Sequence, residues 1–157
     1  VHVLRHDADS RRVVARGTEA DHWRRVSESG MLFAMASTFM LERRTRIAAP
    51  ATTIYPLLAD FRAWPQWSPW EQLDPGMHHG YEGAESGLGS ITTWSGNRKA
   101  GEGRMEIIEA AAPTSLTIDL QFLKPWKAQN TTTFTLTSDA EGTDVVWSMT
   151  GPLNLMM

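Results

Sequence analysis

From Phe39 onward the chain is a succession of strand-length runs separated by turn residues, and no other property limits its possible folds so strongly. The runs are Phe39 to Ile47, His78 to Glu82, Ser90 to Ser95, Gly103 to Ala111, Ser115 to Leu123, Lys127 to Ser138 and Thr143 to Thr150. The later six are divided by Gly83 to Gly89, Gly96-Asn97, Ala112-Pro113, Lys124-Pro125 and Asp139 to Gly142. These are hairpin-length connections with the residue types that tight turns demand. Neighbouring runs are therefore expected to pair antiparallel.

Period-two alternation tells which side of the sheet is apolar. Leu116, Ile118, Leu120 and Phe122 share one face, as do Val145, Trp147 and Met149, while Thr117, Asp119 and Gln121 take the other. The run from Lys127 puts Ala128, Asn130, Thr132, Phe134 and Leu136 on a single face, so that surface grows polar towards Asn130. In the first run Phe39, Leu41, Arg43, Thr45 and Ile47 alternate with Met40, Glu42, Arg44 and Arg46, the pattern of a half-buried strand.

Between the first and second strands the pattern changes. Ala49-Pro50 ends the first strand, and Pro50 stands where a helix can start. Ile54, Leu57 and Leu58 form an i, i+3, i+4 stripe, which predicts a short helix over 51–59, limited or distorted by Pro56. The twelve residues from Asp60 to Glu71 then hold Trp64, Trp67 and Trp70 together with Pro65 and Pro69. Proline at two positions prevents a long helix. The indoles either plug one end of the sheet as core or close over an apolar space, since they bury a large area in both cases.

The remaining segments are less patterned. Residues 1–36 form a leader rich in Arg, Asp and Glu in its first thirty positions, expected to be disordered or loosely helical, ahead of a single domain over 37–157. Met31 to Leu41 is apolar but too short to span a bilayer. As a secretion signal it would carry an unusually long acidic leader, so the cytoplasm is the expected location.

Composition removes several function classes. A formal net charge of −3 without a basic stripe argues against nucleic acid as a partner. The absence of cysteine excludes thiolate metal sites and a cysteine nucleophile. No phosphate loop, dinucleotide fingerprint, serine elbow or metal-ligand spacing occurs, so neither cofactor nor metal is expected. His78 and His79 have no acidic residue at triad or metal spacing, and adjacent strand residues point to opposite faces. Glu71 and Asp74 read as cap or turn residues, and Arg104 and Glu106 as a solvated pair of positions.

Four pieces together resemble the SRPBCC superfamily, the START-like, helix-grip group associated with polyketide cyclases, dehydrases and lipid transport. They are Ala49-Pro50 followed by Ile54-Tyr55 and Leu57-Leu58-Ala59-Asp60-Phe61, then Trp64-Pro65-Gln66-Trp67-Ser68-Pro69-Trp70, Gly101 to Met105, and Phe122-Leu123-Lys124-Pro125. The resemblance runs from residue 38 to about 155. It implies an α+β fold in which a curved seven-stranded antiparallel sheet grips a long C-terminal helix, with two short helices closing one end and a cavity between. The chain reaches Met157 about where that gripping helix is due, so the helix is expected to be truncated.

A concave, mostly apolar pocket with a few polar groups is the usual form of a small-molecule site. The expected function is binding of a small hydrophobic or amphipathic ligand, lipid or polyketide-like. Its expected lining is Trp64, Trp67, Trp70, Trp94, Met105, Ile107, Ile118, Leu120, Phe122, Asn130, Phe134, Trp147 and Met149, each of which is otherwise ordinary core. Trp70 is the indole expected to touch the ligand, and Asn130 must find a partner for its amide. Two alternatives stay open: a cyclase or dehydrase acting in the same cavity, and a protein-interaction module using an uncovered apolar face.

Overall fold

The sheet follows the alternation read from the sequence. The computed structural model describes residues 37–153, so the leader at 1–36 and the segment after Leu153 lie outside the described residues. Seven strands are present: β1 (Thr38–Ile47), β2 (His78–Gly83), β3 (Ser90–Ser95), β4 (Glu102–Ala111), β5 (Ser115–Lys124), β6 (Ala128–Ser138) and β7 (Thr143–Pro152). Every neighbouring pair is antiparallel, in the order β1-β7-β6-β5-β4-β3-β2. Five pairings are between consecutive strands. The sixth is long-range, β1 lying against β7 from Thr38 opposite Pro152 to Ile47 opposite Thr143.

The register aligns the apolar parity of each strand into rows across one face. Met105, Leu120 and Asn130 form one row, and Ile107, Ile118, Thr132, Met149 and Leu41 the next. Leu116, Phe134 and Trp147 follow. Ile107, Leu116 and Ile118 are fully buried, which at about 1.5–3 kcal/mol per large aliphatic side chain makes them the firmest part of the core. A bulge after Ile107 leaves Ile108 out of register and exposed, and the pairing resumes with Glu109 opposite Thr117.

This face is covered at one end by helix α1 (Ala51–Ala59) and by two 3-10 segments, Phe61–Gln66 and Pro69–Leu73. The helix runs through Pro56, and its buried stripe is Ala51, Ile54, Tyr55, Leu58 and Ala59. Leu57, part of the expected stripe, is only half-buried, while Tyr55 takes an inward position with its hydroxyl donating to the Ser115 carbonyl at 3.1 Å. The start of α1 is tied to the β6–β7 hairpin: Ala51 N donates to Ser138 Oγ and Thr143 Oγ1 to the Ala49 carbonyl.

The end of α1 leaves carbonyls without intrahelical donors, as helix ends do. Trp64 Nε1 donates to the Leu58 carbonyl and Trp67 Nε1 to the Leu57 carbonyl, both at 3.0 Å. The first 3-10 segment is capped by Asp60, which accepts from Arg62 N, and the second by Ser68, which accepts from Trp70 N, with Pro69 in the first turn.

Candidate functional site

Two packed clusters divide the concave face. The first joins α1 and Phe61 to Ile107, Leu116, Ile118, Phe134, Leu136 and Val145. The second joins Met77, Trp94, Ala100 and Leu120. Met105 packs against both, Trp147 against the first and Phe122 and Met149 against the second; all four are half-buried.

The tryptophan-proline segment bridges the clusters, and its three indoles have different surroundings. Trp64 and Trp67 lie 4.9 Å apart and both meet the edge of Phe134, at 6.1 and 6.4 Å, so they belong with the first cluster. Trp70 stands over the second. Its ring is 6.0 Å from Phe122 and 6.5 Å from Trp94, which are themselves 5.8 Å apart. Trp70 remains 39% exposed. Trp94 is buried and donates through Nε1 to the Ala100 carbonyl at 3.1 Å.

The thirteen residues expected to line the site thus fall into two groups. Ile107, Ile118, Leu120, Phe134 and Trp94 are buried in filled core. Trp64, Trp67, Trp70, Met105, Phe122, Trp147 and Met149 retain accessible surface. Asn130 is 6% exposed and lies directly against Gly151, where its amide oxygen occupies the space a side chain would need.

Thr132, two residues along the same strand, is 4% exposed, and its Oγ1 has no hydrogen-bond partner among the described residues. A buried hydroxyl without a partner costs about 1–3 kcal/mol. The inward parity of Thr132 is legible in the sequence; its lack of a partner depends on Ile118 and Met149 flanking it across the sheet.

A second polar feature lies on the β2 side. His79 Nε2 and Glu71 Oε2 are 2.9 Å apart, each side chain about 20% exposed. Glu71, read as a cap or turn residue, sits in the first turn of the second 3-10 segment and also meets His79, an acidic partner eight residues away that neither triad nor metal spacing reveals. The His79 ring stacks on Tyr81 at 6.2 Å, and Arg62 lies over the other part of the Tyr81 environment, 4.8 Å from the ring centroid. Burial pushes the Tyr81 hydroxyl above its ordinary range, and the Glu71 carboxylate adds to that shift. Arg104 and Glu106, expected to be solvated or paired, bond to each other at 2.7 Å. Among the described residues no group of three or more His, Asp or Glu is placed to hold a metal ion, and no helix is long and apolar enough to cross a membrane.

Residues 38–156 match the family described as polyketide cyclase / dehydrase and lipid transport. No curated protein matches the chain. Among solved structures, protein CV1439 from Chromobacterium violaceum superposes with a TM-score of 0.56 at 15% identity, over 75% of this chain and 83% of its own. Protein MLL2253 from Mesorhizobium loti gives 0.53 at 18% identity, over 73% and 76%. Major latex-like protein 151 from Panax ginseng gives 0.52 at 17% identity, over 74% and 81%. At these identities the likeness is one of fold.

Proposed function

The chain belongs to the polyketide cyclase / dehydrase and lipid transport family, and from that footing we propose that it binds a small, amphipathic, ring-bearing molecule on the concave face of the sheet. The observation that carries this reading is the unpartnered Thr132 hydroxyl, buried in an otherwise apolar row beside Asn130. A polar group with no internal partner at such a place is accounted for if a ligand oxygen supplies one. On the same face Met149 lies directly beside Thr132, Trp147 and Met105 stand one row away on either side, and Phe122 two rows away beneath Trp70, all four retaining accessible surface. Aromatic and thioether walls favour a flat apolar body. The polar pair favours a neutral hydroxyl or carbonyl rather than a charged head.

Native mass spectrometry of the purified chain, with and without added 1-naphthol or 2-acetonaphthone, tests the proposal. The expected result is a saturable one-to-one adduct, or a co-purified hydrophobic mass, weakened by Trp70→Ala. A bare protein mass that takes up neither probe overturns it.

One observation favours a second reading, a cyclase- or dehydrase-type enzyme in the same place. His79 is on the inward parity of β2, opposite Trp94, and Glu71 holds its Nε2. A carboxylate that accepts Nε2–H leaves the neutral ring a lone pair on Nδ1, the arrangement of an oriented base. Turnover of an aromatic-ring-forming β-polyketone model compound, abolished by both His79→Gln and Glu71→Gln while ligand uptake persists, is the result this reading requires.

A further inference from the structure

The two loops at one end of the sheet carry a charge opposite to that of the chain as a whole. The β3–β4 loop holds Arg98 and Lys99, Lys124 ends β5, and the β5–β6 loop holds Trp126 and Lys127, all exposed. Glu102 stands opposite Lys124 in the ladder, so the two loops share one tip. Four cations against the single carboxylate of Glu102 leave a local balance of +3, in a chain whose formal net charge is −3. Asp74, which accepts from Asn97 N at the base of the first loop, still leaves +2.

Trp126 gives this tip its second property. It is 74% exposed, the most exposed of the large apolar side chains among the described residues. An indole that is neither core nor packed lid, with Lys127 next to it and Lys124 two residues before, has the composition of a membrane-interface anchor: an amphipathic ring at headgroup depth with basic residues on the phosphates. Between the loops lies an open cleft of about 280 Å³, lined by Gly96, Asn97, Arg98, Gly101, Glu102, Lys124 and Pro125. Arg98 stands among its lining residues together with Lys124, which is paired with Glu102.

We propose that this tip docks on an anionic lipid surface, with Trp126 at the interface and Arg98, Lys99, Lys124 and Lys127 facing lipid phosphates. The location is consistent with a use for such docking. Phe122, in register with Ala128, belongs to the last inward row before the tip, and it carries the partly exposed Trp70. A molecule leaving the bilayer at the tip would meet these rings first.

Vesicle flotation of the full chain tests the inference, using phosphatidylcholine vesicles with and without 30% phosphatidylglycerol at low and at roughly physiological salt. The expected result is flotation with the anionic vesicles alone, weakened by salt because charges at a surface are screened within about 8 Å at roughly physiological ionic strength. Trp126→Ala, and separately the double variant Lys99→Glu with Lys127→Glu, should each lower the bound fraction at least about tenfold. Both variants leave the Lys124–Glu102 pair and the core untouched, and unchanged thermal midpoints would confirm folding. Absence of flotation, equal flotation with both vesicle types, or insensitivity to both variants overturns the inference. So does capture by a poly-glutamate resin without vesicle binding, which would make the tip a protein contact. Uptake of 1-naphthol by the tip variants reports on the concave site separately, so failure of one reading is distinguishable from failure of the other.

Discussion

Gly103 stands directly opposite Trp94 in the β3–β4 ladder, and the six-membered edge of that indole occupies the space a side chain at 103 would fill. The ring lies flat along the strand because glycine leaves room there, and this brings it within 5.8 Å of Phe122. Gly103→Ala forces the indole off its rotamer and also presses on the Gln121 carbonyl. The expected cost is about 1–3 kcal/mol, typical of overpacking. A lowered urea midpoint with an unchanged slope is the measurement; an unaltered midpoint would show that Trp94 is not seated on Gly103.

The indoles of Trp64 and Trp67 end α1 by hydrogen bonds to carbonyls that the helix cannot use. Trp67→Phe keeps an aromatic ring against Phe134 and deletes the donor to the Leu57 carbonyl. The expected loss is about 1 kcal/mol for the bond, with a further contribution from the smaller ring. Trp126→Phe is the comparison, expected within about 0.5 kcal/mol of the parent because the ring is exposed. Equal effects at both positions would argue against a capping role.

Alkaline pH should destabilise the fold through its tyrosines. Burial raises the Tyr55 hydroxyl above its ordinary value of 10.0, and burial followed by the Glu71 charge does the same for Tyr81. The unfolded chain then loses these protons at lower pH than the folded one. Their contribution is fully present below pH 10.0 and is lost as pH rises through the folded-state values. Chemical denaturation from pH 8 to pH 11 should show stability falling above about pH 10, and Tyr55→Phe should flatten that limb. The same variant loses the bond to the Ser115 carbonyl, so its stability at pH 8 should be lower by about 1 kcal/mol.

These residues also show what a sequence of this kind reveals. Strand limits and faces are legible because turn residues and period-two alternation are local properties, and Asn130 and Thr132 fall on the inward parity from that alone. The indole segment is legible as a broken, aromatic stretch because Pro65 and Pro69 act locally. Its path across the sheet is not local. Glu71 meets His79, and Trp70 meets Trp94 and Phe122, only because the second 3-10 segment lies over the sheet, and no spacing of residues encodes that placement. Tyr55 is hidden in the helix for a similar reason: its inward position depends on how α1 sits on the sheet, with the Tyr55 hydroxyl reaching the Ser115 carbonyl of β5, and this moves the buried stripe from Leu57 towards Tyr55 and Ala59. The lack of a partner for Thr132 is likewise a property of the assembled row, since it requires Ile118 on one side and Met149 on the other.

Thr132→Val separates the demands of folding from those of binding. Valine has nearly the shape of threonine and removes the one buried side-chain oxygen without a partner among the described residues. If the hydroxyl serves only the fold, its replacement should be neutral or destabilising. If it waits for a ligand oxygen, the free protein should gain stability, by about 1 kcal/mol or somewhat more, because an unsatisfied group has been removed. Affinity for 1-naphthol should fall about tenfold in the same variant, while naphthalene, which has no oxygen, should bind as before. A stabilised variant with unchanged naphthol affinity would place the ligand away from Thr132. A destabilised one would mean that the hydroxyl already has an internal role. Only the combination of higher stability and selective loss of the oxygenated probe agrees with a floor built to receive a hydroxyl or carbonyl.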